Sequence, residues 1–240
     1  YTPAAGCAKT MIWAIIPAAG SGSRSGSDIP KQYRPLLGKP MIEHVLEVLA
    51  QHPDIDGFML ALAPDDERWQ GIEMWCNKPL RTCTGGMRRS DSVLAGIAAL
   101  SDDLTNDSWA LVHDAARPCL RLEDLNCLIE AACMHPVGGL LAGRMKDTVK
   151  RGDADDQVEG TLDRSALWRA YTPQLFPAHS LQRALQHAHQ ENADITDESS
   201  AMERLGLSPL LVPGADDNIK VTGPEDFALA EAIMTARNAP

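Results

Sequence analysis

Residues 18 to 33 read AAGSGSRSGSDIPKQY and hold two isolated cations, Arg24 and Lys31, in a run dominated by Gly and Ser. The run follows the apolar stretch MIWAII and Pro17. Glycines and cations at the end of an apolar run are the material of a phosphate site. Gly20 and Gly22 let main-chain N–H groups approach anionic oxygens. Arg24 offers a planar fork and Lys31 a compact charge, and Pro30 restricts the backbone where Lys31 is aimed. A pyrophosphate that leaves as an anion calls for this kind of charge stabilisation more than for acid–base chemistry. The competing reading is a mobile Gly/Ser surface loop.

Two familiar nucleotide loops do not fit. A dinucleotide fingerprint needs Gly-x-Gly-x-x-Gly; Gly20 and Gly22 match, but Ser25 takes the third place and Gly26 comes one residue late. Its ribose-binding acid follows about 20 residues on, at a strand end, whereas the second apolar run here ends near Ala63, about twice as far away. An ATPase loop ends in Gly-Lys-Ser/Thr, and that triplet does not occur.

Further polar clusters follow other apolar runs. In GGMRRSDSVLAG (85–96) two glycines allow backbone to approach a flat base, and Ser92 can donate or accept a hydrogen bond. A site that pairs each polar atom of a base rejects one with the reversed pattern. Alternatively, Ser92 satisfies backbone at a helix start. In VHDAARP (112–118), Asp114 is a candidate Mg²⁺ ligand, because that ion takes only one or two carboxylates beside phosphate oxygens. The bland alternative is a loop ion pair with Arg117. His113 is expected to be structural.

The elements that must place these residues follow from periodicity. MIWAII, 55–63, 80–84, 109–113, 138–143 and 209–212 read as strands. The segments 40–52, 89–100, 121–134, 177–192 and 223–237 read as helices, with another starting near Thr196, where TDES resembles a capping box. Strand–helix alternation predicts an α/β fold: a Rossmann-like, mostly parallel sheet with helices on both faces. Ligands of such sheets bind beyond the carboxyl ends of the strands, and the clusters 18–31, 85–92 and 114–117 all fall there. Between about 144 and 170 the pattern becomes a β-hairpin arm around an acidic Gly-Asp turn. An isolated hairpin is marginal in water, so it is expected to pack on something, such as a second subunit. The chain reads as one domain over 11–240, with 144–170 protruding and 1–10 a disordered leader.

Composition sets the bounds. The 240 residues are 44% hydrophobic with only 5% aromatic, which predicts an aliphatic core. A formal net charge of −11 argues against nucleic acid as partner. It also requires that the cations of any phosphate site be gathered locally. No apolar run reaches the ~18 residues of a membrane span, and no signal architecture opens the chain. The six cysteines form no Cys-x-x-Cys pair and are expected to be buried thiols of a reducing cytoplasm. The histidines show no metal-ligand spacing; His187 and His189 read as solvated helix residues.

The blocks PAAGSGSR, PKQY, GGMRRSDSVLAG, VHDAARPCL, KDTVK, DRSALWRAYTPQLF, ITDESSA and DNIKVTGPEDFALAE resemble, in order and spacing, the 2-C-methyl-D-erythritol 4-phosphate cytidylyltransferase family of the non-mevalonate isoprenoid pathway. The resemblance runs from about Ile12 to Ala236. It implies a nucleotidyltransferase fold of GT-A-like type and a site for CTP formed by Pro17, Ala18, Ala19, Gly20, Ser21, Gly22, Gly86, Arg89, Ser92, Asp114 and Ala115. Catalytic cations would be Arg24, Lys31 and Lys220, with Asp217 orienting Lys220 and Mg²⁺ on Asp114. Arg117, Thr148, Arg164, Thr172 and Thr196 would contact a sugar-alcohol phosphate. Thr148, Arg164 and Thr172 would act partly across a homodimer whose arm reaches into the partner's site. For Thr196 a helix-cap role is an equal alternative. The chain departs from the family pattern at Ser25, at Met87, where an acid is common, and at Arg144-Met145-Lys146, where Pro-Val-x is usual.

The implied reaction is CMP transfer from CTP to the phosphate of 2-C-methyl-D-erythritol 4-phosphate. A phosphate monoester is largely ionised at neutral pH, with a second pKa of ~6, so no general base is required. The rival within the class is a ribitol-5-phosphate cytidylyltransferase. Outside it, the joint presence of Arg24, Lys31, Asp114 and Lys220 argues against a non-catalytic nucleotide sensor, and the failed fingerprint argues against a dinucleotide-binding oxidoreductase.

Overall fold

The computed structural model describes residues 11–20 and 29–238. Its first strand, β1 (Ile12–Ala18), is followed by the short pair β2 (Pro35–Leu36) and β3 (Lys39–Pro40), then α1 (Met41–Ala50) and β4 (Ile55–Leu62). Next come β5 (Met74–Trp75), β6 (Lys78–Thr84), α2 (Arg89–Ala99), β7 (Trp109–Val112), α3 (Leu122–Cys133) and β8 (Gly139–Arg144). The hairpin β9 (Val149–Gly152) and β10 (Val158–Leu162) precedes β11 (Trp168–Pro177), α4 (Ala178–Gln190), α5 (Glu198–Arg204), β12 (Leu210–Pro213) and α6 (Pro224–Asn238). One eight-stranded sheet has the order β12-β8-β11-β7-β1-β4-β6-β5. The β7-β1-β4-β6 run is parallel, as is β12 with β8.

Alternation along β1 explains why helices cover both faces. Ile12, Ala14 and Ile16 pack with Val45, Leu46 and Leu49 of α1 and Leu125 and Leu128 of α3. Trp13 and Ile15 pack with Val93 and Ile97 of α2 and Leu181 and Leu185 of α4. A strand buried on both sides reads as a continuous apolar run, and each fully buried Leu or Ile contributes about 1.5–3 kcal/mol. α2 sits close because Gly96 presents no side chain: a Cβ there would stand 2.9 Å from Ile15 Cγ2.

Two expectations are corrected. β11 is not part of the arm but an antiparallel strand inside the sheet, between β8 and β7, and Trp168–Ala170 pair with Ala142–Arg144. Pro173 argues against a central strand. The fold accommodates it because pairing with β8 breaks between Ala170 and Gln174, and pairing with β7 starts only at Gln174. The arm proper is therefore β9 and β10, which pair only with each other among the described strands. The cysteines are not uniformly buried: Cys119 is, Cys83 and Cys133 are half-buried, and Cys76 and Cys127 are exposed. Cys127 lies on the solvent face of α3 and Cys76 in the β5–β6 turn, where its φ is +48°; Cys7 lies outside the described residues. Among the described residues no helix is long and apolar enough to cross a membrane.

Candidate active site

The carboxyl ends of β1, β6 and β7 meet around a cavity of about 240 Å³. Pro17, Ala18, Ala19 and Gly20 line it from β1, Gly86, Arg89 and Ser92 from the β6–α2 junction, and Asp114 and Ala115 from beyond β7. Lys31 and Lys220 close it. A second cavity of about 220 Å³ is lined by Arg117, Thr172, Gln174, Thr196 and Asp197. Arg89, Asp114 and Lys220 line both cavities.

Each wall is held by local structure. Lys31 and Gln32 lie in a single 3-10 turn, and Gln32 Nε2 donates to Ala18 O at 2.7 Å. Tyr33 OH donates to Asp66 at 2.5 Å and accepts from Trp69 Nε1 at 2.9 Å. Burial and the neighbouring Asp66 push the Tyr33 phenol far up, so it remains a donor. Lys31 Nζ reaches Val221 O at 2.8 Å, which brings the DNIKVT segment, and with it Lys220, to the same side. At the opposite wall Gly85 N–H donates to Leu62 O at 2.7 Å, and a Cβ on Gly85 would stand 2.5 Å from Ala19 Cβ. Only glycine allows that approach. Ser92 is 2% exposed, and its Oγ accepts the Gly86 N–H at 3.1 Å. Its hydroxyl also donates to Arg88 O at the start of α2 at 3.3 Å, so it ties the loop that lines the cavity to the helix end, and neither reading of Ser92 excludes the other.

Asp114 is 6% exposed and sits among cations. Its Oδ1 accepts from Arg89 Nε at 2.7 Å, its Oδ2 lies 2.8 Å from Lys220 Nζ, and Arg117 Nε is 3.8 Å away. Burial alone would raise its pKa, but Arg89 and Lys220 hold the carboxyl well below the usual range. Arg89 also carries Glu198, with Nη1 on Oε1 at 2.5 Å and Nη2 on Oε2 at 3.1 Å. Both Glu198 oxygens accept, the pattern of an ionised carboxylate, although burial pushes its pKa up against the pull of Arg89.

The Asp114 backbone is fixed by a chain of bonds whose polarity is fully determined. Arg117 O only accepts, so His113 Nε2, 3.1 Å away, carries the ring proton. Nδ1 then accepts from the Thr172 hydroxyl at 2.9 Å, and the same oxygen takes the Asp114 N–H at 3.1 Å. Burial lowers the His113 pKa to about 4, so the ring is neutral at pH 7, as this chain requires. Asn218 completes the frame, donating from Nδ2 to Thr172 O at 2.8 Å and accepting Arg117 Nη1 on its main-chain carbonyl at 2.7 Å.

The sequence matches the family described as 2-C-methyl-D-erythritol 4-phosphate cytidylyltransferase over residues 12–236. The chain belongs to that family. The 2-C-methyl-D-erythritol 4-phosphate cytidylyltransferase of Xylella fastidiosa (strain 9a5c) is 49% identical over 226 residues, covering 94% of this chain and 98% of the relative. That of Xanthomonas campestris pv. campestris (strain B100) is 50% identical over 227 residues, covering 95% and 86%. Among solved structures, the Francisella tularensis 2-C-methyl-D-erythritol 4-phosphate cytidylyltransferase superposes with a TM-score of 0.79 at 34% identity, covering 93% of this chain and 99% of that one. The 4-diphosphocytidyl-2C-methyl-D-erythritol synthase of Anaerococcus prevotii DSM 20548 gives 0.81 at 28% identity, covering 95% and 97%.

Set on this cytidylyltransferase frame, the sequence-derived site residues separate into groups. Those of the three strand-end clusters, where described, line the two cavities, together with Lys220. Ser21, Gly22 and Arg24 lie outside the described residues. Thr148 and Arg164 are exposed on the arm side and line neither cavity; Arg164 donates to Lys146 O. Thr172 is not an arm residue: it is a buried residue of β11 facing the second cavity of its own chain. Thr196 is not the helix cap; Asp197 is, with its Oδ1 accepting Ser200 N–H at 3.0 Å, which leaves Thr196 on the cavity wall. Asp217 does not orient Lys220, because Arg121 at 2.5 Å and Arg237 at 2.7 Å occupy it. Sequence reasoning missed Glu198, Gln174 and Asn218. Nothing in the local pattern marks an acid in a helix's first turn, or an amide in a strand, as fully buried.

Proposed function

We propose that this chain transfers the cytidylyl group of CTP to the phosphate of 2-C-methyl-D-erythritol 4-phosphate, forming 4-diphosphocytidyl-2-C-methyl-D-erythritol and pyrophosphate. The observation that carries this reading is the pair of cavities sharing Arg89, Asp114 and Lys220. Two ligands lying on either side of one charged junction are placed for direct transfer. The first cavity suits the nucleotide. Its glycine-bearing walls admit a flat base near Gly86 and Ser92 and a triphosphate near Gly20 and Lys31. The second suits the acceptor, with Arg117 for its phosphate and Thr172 and Thr196 beside it.

The acceptor phosphate, with a second pKa of ~6, attacks the α-phosphorus as an anion. His113 is not needed as a base, and its bonds to Arg117 O and Thr172 hold it in a structural role. What the reaction requires is the approach of two polyanions, which Lys31, Lys220 and Arg117, together with Arg24, offset. No group of three or more His, Cys, Asp or Glu side chains among the described residues is placed to hold a metal. A divalent cation here would be held by Asp114 with ligand oxygens, a donor set suited to Mg²⁺. Asp114 fits: its Oδ2 partner Lys220 is 44% exposed, against 25% for Arg89, and is the partner that can yield. Mg²⁺ would neutralise charge on the triphosphate. The arm, a hairpin with little apolar surface of its own, is read as a dimer contact.

The test is pyrophosphate release with CTP, Mg²⁺ and 2-C-methyl-D-erythritol 4-phosphate, with UTP and ribitol 5-phosphate as controls. Turnover with the methylerythritol phosphate and CTP alone is expected. Preference for ribitol 5-phosphate, or CTP binding without turnover, would overturn the reading.

A further inference from the structure

Glu198 is fully buried yet lines neither cavity. A buried acid is costly unless it is paired and hydrogen-bonded, and this one spends both oxygens on the two terminal nitrogens of Arg89. Arg89 is left with Nε for Asp114 Oδ1 at 2.7 Å. Asp114 Oδ2 is thereby left to Lys220 at 2.8 Å. The result is a chain of alternating charge, Glu198–Arg89–Asp114–Lys220, running from the interior to the junction of the two cavities.

The inner end of that chain is fixed. Glu198 is the first residue of α5, and the residues on either side of it are gripped by Gln174, itself 1% exposed in β11. Gln174 Nε2 donates to Asp197 Oδ2 at 2.9 Å, and Gln174 Oε1 accepts the Ser199 N–H at 2.8 Å. Glu198 therefore cannot follow Arg89 if the arginine moves. Without the Glu198 charge, two guanidinium N–H groups would lose their acceptors in a buried place. The fork would then turn onto both oxygens of Asp114, or onto the triphosphate. The first move takes from Asp114 the oxygen it offers to the site; the second removes the Nε bond that orients the carboxylate.

We propose that Glu198 is a positioning residue for the transfer. By occupying both terminal nitrogens of Arg89 it holds the guanidinium edge-on to Asp114, and so keeps one Asp114 oxygen and Lys220 aimed at the junction. This rests on the cytidylyl-transfer reading, because the junction matters only if chemistry occurs there.

The experiment compares wild type, Glu198→Gln, Arg89→Lys and the double variant. It measures kcat for pyrophosphate release, the Kd of CTP by calorimetry and the folded fraction by near-UV circular dichroism. In Glu198→Gln, kcat per folded enzyme is expected to fall at least about tenfold while the Kd of CTP stays within about threefold. The double variant is expected to be no worse than the weaker single one, because both changes break one chain. Wild-type protein that does not turn over refutes the functional reading and this role with it. Active wild type beside a folded Glu198→Gln within twofold of its kcat refutes the positioning role alone, as do losses that add in full. If Glu198→Gln does not fold, Arg89→Lys decides: it keeps a cation for Glu198 but lacks the fork. A tenfold loss of kcat supports the role, and wild-type kcat overturns it.

Discussion

At the carboxyl end of the sheet, His113, Asp114, Thr172, Glu198 and Asn218 are all buried and bonded to one another or to arginine. On the arm, Lys150 bonds Thr161 and Arg151 faces Glu159 across the hairpin at 3.8 Å, with both side chains of the ion pair more than half exposed. The two regions carry the same residue types and use them differently. In the interior an unpaired charge or amide is expensive, so each partner fixes the next and the geometry is unique. In water such pairs contribute little and exchange partners freely, which suits a surface free to meet another molecule. Where the regions meet, Asp216 takes Lys146, Arg169 and Tyr171, and so ties the base of the arm to the loop that carries Lys220.

The contrast is sharpest in catalysis. Lys31→Ala and Asp114→Asn are each expected to lower kcat by about 10²–10³-fold. Lys31→Ala should change the thermal midpoint little, Asp114→Asn should lower it because Arg89 and Lys220 lose their shared carboxylate, and Arg151→Ala should leave monomer unfolding unchanged. Steady-state pyrophosphate release and thermal melts read both. Full activity of Lys31→Ala would break the comparison at its strongest point.

The next effect is on pH. His113 has a folded pKa of about 4 against an unfolded value near 6.5. Between those values the unfolded chain takes up a proton that the folded chain refuses. Stability present above pH 6.5 is therefore lost as pH falls towards 4, by roughly 3 kcal/mol. Urea unfolding across that range should show the slope, and His113→Asn, which cannot titrate, should lose this part of it. An unchanged slope in the variant would place the acid sensitivity elsewhere.

Thr172→Val tests the same network with a smaller expected loss. It removes the acceptor of the Asp114 N–H and the donor to His113, at a cost of about 1–3 kcal/mol in unfolding free energy. Smallest of all, Arg151→Glu on the arm should leave the urea midpoint of the monomer in place. It should weaken self-association in sedimentation if the arm is a dimer contact. A large loss of monomer stability there would erase the distinction between the regions.

The elements of the sheet were legible because their signals are local. β1, β4 and β7 are apolar runs, α1 and α3 have clear apolar faces, and the glycine- and cation-bearing clusters sit directly after strands. A parallel α/β sheet places such clusters together, so the site residues of the first cavity could be chosen before any contact was known. The same rule answers the charge puzzle: a chain of net charge −11 gathers Lys31, Arg89, Arg117 and Lys220 at one edge.

What the tertiary structure alone decided depends on partners distant in sequence. β11 lies inside the sheet because its antiparallel register leaves Pro173 where the ladder breaks, and a periodicity count cannot show that. Asp114 meets Lys220, and Asp217 meets Arg121 and Arg237, because the loop before α6 crosses both the site and the α3 side. Glu198 looks like an ordinary first-turn acid, favourable beside the helix dipole. Only the docking of α5 against β11 and α2 turns it inward to Arg89. Local sequence determines which residue types are offered at each strand end. Strand order and register determine which of them meet, because burial and charge pairing act between chains of atoms that the sequence keeps apart.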